Sequence, residues 1–266
     1  MKRFLPFRKA EPRVAVIRLQ GMIAAGGRMG GMNDAGLAPL IERAFSRGKP
    51  AAVALAVNSP GGSPAQSSLI AARIRRLAEE KELPVHAFVE DVAASGGYWL
   101  ATAADDIWVD VSSVLGSVGV ISSSFGFPEF LARHGIERRV HTAGKSKSFL
   151  DPFQPERPAD VKRLKALQEP IHEAFIQQVK ARRGAKLSKD VELFDGSVWV
   201  GAEAVTLGLA DGVAHMVPKL KELYGDKVEL VPYTARKPFW RRFGAEALNG
   251  ATEAIEERAL WSRFGL

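Results

Sequence analysis

From Pro84 to Tyr98 the chain reads PVHAFVEDVAASGGY, an order of residues that few local structures accommodate. Val85, Ala87 and Val89 alternate with His86, Phe88 and Glu90 as in a short buried strand over Pro84–Glu90. Small residues fill 93–97, and an apolar, helix-like stretch follows from Tyr98 to Ala104. A serine at such a strand-to-helix turn lies beside backbone N–H groups that lack intrahelical partners and favour negative charge. Ser95 therefore serves either as an N-cap, the commoner use of serine at such a place, or as a nucleophile.

The rest of the chain alternates in the same way. Val14–Leu19 reads as a strand, and Ala51–Val57 is a nearly continuous apolar run, the mark of a strand covered on both faces. Between them Asn33 or Asp34 caps a helix through Leu37, Leu40, Ile41 and Phe45. After the turn Asn58-Ser59-Pro60-Gly61-Gly62 a second helix runs to about Lys81. Ile107–Asp110, Val114–Ile121 and Ile136–His141 read as strands, and Pro128–His134 as a short helix. The longest helix spans Ala159 to Arg183, with a stripe through Leu164, Leu167, Ile171, Phe175 and Val179 and a potential kink at Pro170. Trp199-Val200 reads as a strand and Ala202–Leu207 as a helix. Strands alternating with helices predict an α/β fold with a largely parallel sheet. The expected organisation is a basic tail over 1–12, one domain over 13–232, and an amphipathic helical extension over 233–266.

Composition narrows the function classes. A chain of 266 residues with 46% hydrophobic side chains buries a sizeable core. It has no cysteine, hence no disulfide and no thiolate chemistry. The net charge of +7 is spread along the chain with no recognisable nucleic-acid module, so nucleic acid is not an expected partner. The basic residues near each end interleave with Phe4, Phe7, Phe239, Trp240 and Phe243. That pattern fits either solvated tails or peripheral contact with an anionic membrane surface. No window reaches the roughly 18 apolar residues of a transmembrane helix, and the N-terminus lacks the apolar run of a signal peptide. The expected location is cytoplasmic, or peripheral at the inner membrane.

Acyl transfer needs a nucleophile and backbone donors aimed where negative charge develops, and two glycine turns at strand ends, around Gly62 and Gly96, answer that need. The base is harder to find. His86, His134, His141, His172 and His215 each read as surface or strand residues, and no metal-ligand spacing appears, so no metal or cofactor is expected. A lysine is the remaining candidate, and it accepts a proton only in its neutral form, which desolvation favours. Lys147 lies in a Gly/Ser segment before Phe149, Leu150, Pro152 and Phe153, which can supply an apolar wall.

The segments VNSPGGS (57–63), AASGGYWLATAAD (93–105), LGSVGVI (115–121) and TAGKSKSFLDPF (142–153), in this order, resemble the signal-peptide-peptidase-A family of serine peptidases. The likeness covers roughly Val14 to Gly212 and implies the fold shared by Clp protease and crotonase, built of superhelical ββα units. It implies a Ser–Lys dyad: Ser95 as nucleophile, Lys147 as general base, and Ser117 as the serine that orients that lysine. The N–H groups of Gly62 and Gly96 correspond to the oxyanion hole. Where Clp-type proteases carry a histidine, this chain has Val120, consistent with lysine as base. A second lysine, Lys145, stands in the same segment, and the membrane-spanning helix with which many family members begin has no counterpart here. By the same resemblance the substrates are signal peptides or membrane-protein fragments in unfolded form. The assembly is a homo-oligomeric ring, with the dyad completed within or between subunits. Other readings are a catalytically silent, membrane-associated scaffold of the same fold, a protease for one specific membrane or phage protein, and an acyl-CoA enzyme of the crotonase type.

Overall fold

The structure, a computed structural model, describes residues 11–25, 31–144, 147–234, 258 and 261–265. The two N-terminal apolar runs form β1 (Arg13–Gln20) and β2 (Ala52–Ser59), paired in parallel from Val14↔Ala52 to Gln20↔Asn58. Every residue of β2 is buried, which explains the absence of polar alternation in AVALAVNS: both of its faces are covered. Between them α1 (Asp34–Ser46) starts at Asn33, whose side chain accepts a hydrogen bond from the Gly36 N–H at 2.8 Å. Next, α2 (Pro64–Lys81) has Ser63 as its cap and proline in its first turn, where no N–H is needed. Leu40, Ile41 and Phe45 of α1 join Ile70, Ile74 and Leu77 of α2 in one core cluster with the sheet.

The third strand, β3 (Val85–Ala94), pairs with β2 along one side and divides its other side between two partners. Its first half, His86–Val89, faces β4 (Asp106–Val109), and its last residues, Val92–Ala94, face β5 (Val114–Gly116). At the changeover the register against β2 slips between Val57 and Ser59. Asn58 fills the slip, donating from Nδ2 to Asp91 at 2.6 Å and accepting from the Val92 N–H at 3.3 Å. One strand thus serves two parts of the sheet, and its C-terminal end presents Ser95.

The sheet is completed by β6 (Val198–Val200), antiparallel to β5; β7 (Gly212–Val213), beside β4; and β8 (Glu229–Tyr233), parallel to β1 at the opposite edge. All pairings except β5–β6 are parallel, as the alternation predicts. The later helices are α3 (Gly96–Ala101), α4 (Pro128–Arg133), α5 (Pro158–Arg183), α6 (Gly201–Thr206) and α7 (Met216–Tyr224). Helix α3 is wholly buried: the Tyr98 hydroxyl donates to the Leu209 carbonyl at 2.9 Å, and Trp99 stacks on Phe175 of α5 with centroids 4.9 Å apart. At the end of α5 the buried Arg183 donates to the Gly208 carbonyl at 2.9 Å and pairs with Asp211 at 2.6 Å.

Several expectations need correction. β5 stops at Gly116 instead of continuing to Ile121, and Ile136–His141 forms no strand, because Ile136 and Val140 are exposed and no neighbouring strand is there to pair with them. The longest helix, by contrast, is where it is expected, with Pro170 inside its span. Strand β8 and helix α7 occupy a stretch that carried no assigned elements. The amphipathic extension falls largely outside the described residues. Among the described residues, no helix is long and apolar enough to cross a membrane.

Candidate active site

Ser95 sits between β3 and α3 with φ 51° and ψ −122°, in the left-handed region that a serine rarely adopts. Such a conformation costs on the order of 1–3 kcal/mol and persists only where the surroundings impose it. Here they do so from both sides. The Ser95 N–H donates to the Gly116 carbonyl at 2.9 Å, and the Ser95 carbonyl accepts from the N–H groups of Tyr98 and Trp99 at 3.0 and 3.1 Å. The hydroxyl makes no capping hydrogen bond. A capping serine takes extended dihedrals and bonds the N2 or N3 N–H, so the N-cap reading fails at this position. What remains is the sharp strand-to-helix turn that projects a side chain away from the sheet.

The glycine turns lie against it. The N–H of Ile23 donates to Gly61 at 2.8 Å, and the Ile23 carbonyl accepts from Ser63 at 2.7 Å. In this parallel bridge the residue between, Gly62, directs its own N–H to the opposite side. Gly62 has φ 138°, and a Cβ there would lie 2.0 Å from the Ile23 carbonyl oxygen. Gly96 opens α3, so its N–H has no intrahelical acceptor. A Cβ on Gly96 would lie 2.4 Å from Ser67 Oγ and 3.4 Å from the Gly62 nitrogen. The two turns approach each other this closely because neither residue carries a side chain. A free hydroxyl beside two such donors is the arrangement that acyl transfer requires.

A cavity of about 620 Å3 opens over Ser95 and is lined also by Gly62, Ser117, His172 and Asp195. A small recess of about 10 Å3 is lined by Trp99, Val120, Ile171 and Phe175 together with Ser95 and Gly96. Ser117, with φ 51°, is held by its N–H donating to the Ser197 carbonyl at 2.7 Å. Four of the five expected residues, Ser95, Ser117, Gly62 and Gly96, thus converge. Lys147 does not join them within one chain: it is exposed, its N–H donates to Gly144 at 3.2 Å, and it does not line the cavity. Lys145 lies outside the described residues. Lys147 belongs to a long arm, for no described residue from Gly119 to Ala174 is buried. Phe125 on that arm is 80% exposed, and Phe127, Phe130 and Phe153 are exposed as well.

Two groups of the cavity were not singled out from the sequence. His172 reaches it from α5, and its Nε2 lies 3.0 Å from the Val118 carbonyl, so that nitrogen carries the proton. The signal was its spacing from Phe175 and Val179, which continues the buried stripe of the helix to the rim of the site. Asp195 accepts hydrogen bonds from Ser197, which hold its carboxyl below the usual range and keep it anionic. The other histidines match their reading as surface or strand residues. His134, His141 and His215 are exposed, and His86 is buried in β3 between Asp106 at 2.8 Å and the Tyr224 hydroxyl at 2.7 Å. Among the described residues, no group of three or more His, Asp or Glu side chains is placed to hold a metal ion.

Residues 77–225 match the protein family described as peptidase family S49. A Brucella melitensis protein named Na(+)/H(+) antiporter NhaA is 46% identical over the whole of this chain, which corresponds to 39% of its own length. An Enterococcus faecium protein named putative signal peptide peptidase is 27% identical over 66% of this chain and 51% of its own. The chain therefore spans about half or less of the length of these two relatives. A solved structure of a membrane-bound stomatin-specific protease, in complex with a substrate peptide, superposes with a TM-score of 0.48 at 17% identity, covering 88% of this chain and 96% of that one.

Proposed function

The chain belongs to peptidase family S49, and on that premise we propose that it is a serine endopeptidase cutting peptide bonds through an acyl-enzyme on Ser95, with Lys147 as general base. The observation that carries the reading is the strained, doubly clamped backbone of Ser95, with its hydroxyl unused by the helix and two glycine turns beside it. Neutral lysine takes the proton from Oγ as that oxygen attacks the scissile carbonyl. The oxyanion then faces the N–H groups of Gly62 and Gly96, lysine returns the proton to the leaving amine, and water releases the acyl group. Each oxyanion donor is worth about 3–4 kcal/mol. The cavity over Ser95 presents Pro60, Val120 and Ile121 beside its polar groups, in keeping with apolar segments such as signal peptides or membrane-protein fragments as substrates.

The exposed arm supports completion of the dyad between copies. Four exposed phenylalanines on a segment with no buried residue describe a surface that a second copy covers, and covering it removes Lys147 from water, as a neutral amine requires. Ser117, held on the sheet, then orients the lysine arriving from a neighbouring copy in a homo-oligomeric ring. The antiporter name is not carried over, since this chain corresponds to 39% of the length of the relative that bears it.

The test is labelling by a fluorophosphonate probe together with hydrolysis of an unfolded protein. Wild type labels and cleaves. Ser95→Ala and Lys147→Ala each do neither, and mixing the two variants restores part of the hydrolysis. Labelling that persists in Ser95→Ala overturns the nucleophile. Two inactive variants that stay inactive when mixed, with wild-type oligomeric state, overturn the shared dyad.

A further inference from the structure

On the face of β1 and β8 that meets the end of α1, well away from Ser95, a cleft of about 570 Å3 opens to solvent. Three guanidinium groups line it: Arg13 from β1, Arg43 from the last turn of α1, and Arg47 just after it. Only one of them is matched by a carboxylate among the described residues, Arg13 with Glu229 at 2.7 and 3.1 Å. Arg43 uses its Nε on the Pro39 carbonyl at 3.1 Å, which ties the stem to the helix and, among the described residues, leaves both terminal amino groups of the guanidinium without a partner. The cleft is fixed at the position of Arg47, because the Tyr233 hydroxyl of β8 donates to the Arg47 carbonyl at 3.2 Å. The cleft therefore carries net positive charge, and its donors are planar forks of the kind that match a tetrahedral oxyanion in bidentate fashion.

We infer that this cleft binds a phosphate group, with Arg43 and Arg47 as its principal donors and Arg13 beside them. The stretches of chain adjoining it favour a phosphate presented on a surface. The sequence before β1 carries Lys2, Arg3, Arg8 and Lys9, and the sequence after β8 carries Arg236, Lys237, Arg241 and Arg242. They adjoin β1 and β8, the paired strands that bear the cleft, of which β8 is the sheet edge. Phosphate held in a lipid headgroup and free phosphate share this chemistry, and the inference is independent of the peptidase reading.

The full chain, as wild type and as Arg43→Gln/Arg47→Gln, is sedimented with vesicles of phosphatidylglycerol and phosphatidylcholine, and with vesicles of phosphatidylcholine alone. Its melting temperature is also followed against inorganic phosphate and pyrophosphate. The control, Arg76→Gln/Lys81→Gln, removes the same charge from the exposed side of α2. An arginine near an anionic surface contributes about fivefold to binding, so the double variant binds anionic vesicles roughly 25-fold more weakly while the control binds far better than that. That result supports a lipid headgroup. Melting that rises with phosphate in wild type and in the control but not in the double variant, without vesicle binding, supports free phosphate. Absence of both effects in wild type, or equal losses in the double variant and the control, overturns the inference. Peptidase activity and melting temperature in plain buffer stay at wild-type levels in all variants and report that the chain is folded.

Discussion

Gly62→Ala tests the proposed oxyanion hole apart from the fold that carries it. The backbone there has φ 138°, and the added methyl would lie 2.0 Å from the Ile23 carbonyl oxygen and 2.9 Å from the Ile23 nitrogen, both of them main chain. The positive φ alone costs an alanine about 1–2 kcal/mol, and because the obstacle is backbone the strain is relieved only by moving one turn away from the other, at about 1–3 kcal/mol more. A destabilisation of about 2–5 kcal/mol corresponds to a melting temperature roughly 5–15 °C lower for a domain of this size. The displaced turn takes its N–H out of line with the oxyanion, and loss of one such donor costs about 100- to 1,000-fold in kcat. Gly225→Ala, after α7 and off the arm, is the control: its φ is 93° and no atom lies within 4 Å, so it shows the backbone cost alone with kcat unchanged. The measurements are thermal denaturation and peptide hydrolysis at temperatures where both variants are folded. If Gly62→Ala melts as expected yet keeps kcat within about threefold of wild type, Gly62 does not supply an oxyanion donor, and the reasoning fails.

Two further predictions concern the frame around the site. Burial would raise the Asp211 carboxyl, but hydrogen bonds from Arg183, Lys186 and the Ile107 N–H outweigh it and hold the group below its ordinary range. A depressed carboxyl contributes stability that is present above its unfolded value near 3.9 and lost as pH falls through the folded one. Asp211→Asn therefore melts lower at neutral pH by about 3 kcal/mol, with Arg183 left buried beside a neutral amide, and its melting temperature falls less than that of wild type on acidification. A parallel acid profile for the two proteins contradicts this. Tyr98→Phe removes the donor to the Leu209 carbonyl inside the core and costs about 1–2 kcal/mol, read as a melting temperature a few degrees lower with the acylation rate retained; an unchanged melting temperature counts against that bond as a support of α3.

The central strands were legible because two-sided burial leaves a plain mark: AVALAVNS has no polar face to hide. The turn at Ser95 was legible as a place, since a strand, five small residues and an apolar helix follow one another. Its alternative as a cap was settled only by dihedrals, which no residue type encodes. Ile136 and Val140 misled because alternating apolar residues look alike whether they face a core or an arm awaiting a partner. His172 escaped for the opposite reason: its role depends on where α5 crosses the sheet, a long-range fact. Lys147 was legible as a residue and not as a position: within one chain it is exposed and does not line the cavity over Ser95.

The division of β3 between β4 and β5 also determines which part of the molecule can move. Residues immediately before the nucleophile are hydrogen-bonded to strands on both flanks, so displacing the serine means unzipping two seams at once. The turn at Ser95 is thus the anvil of the molecule, a striking point braced from two sides.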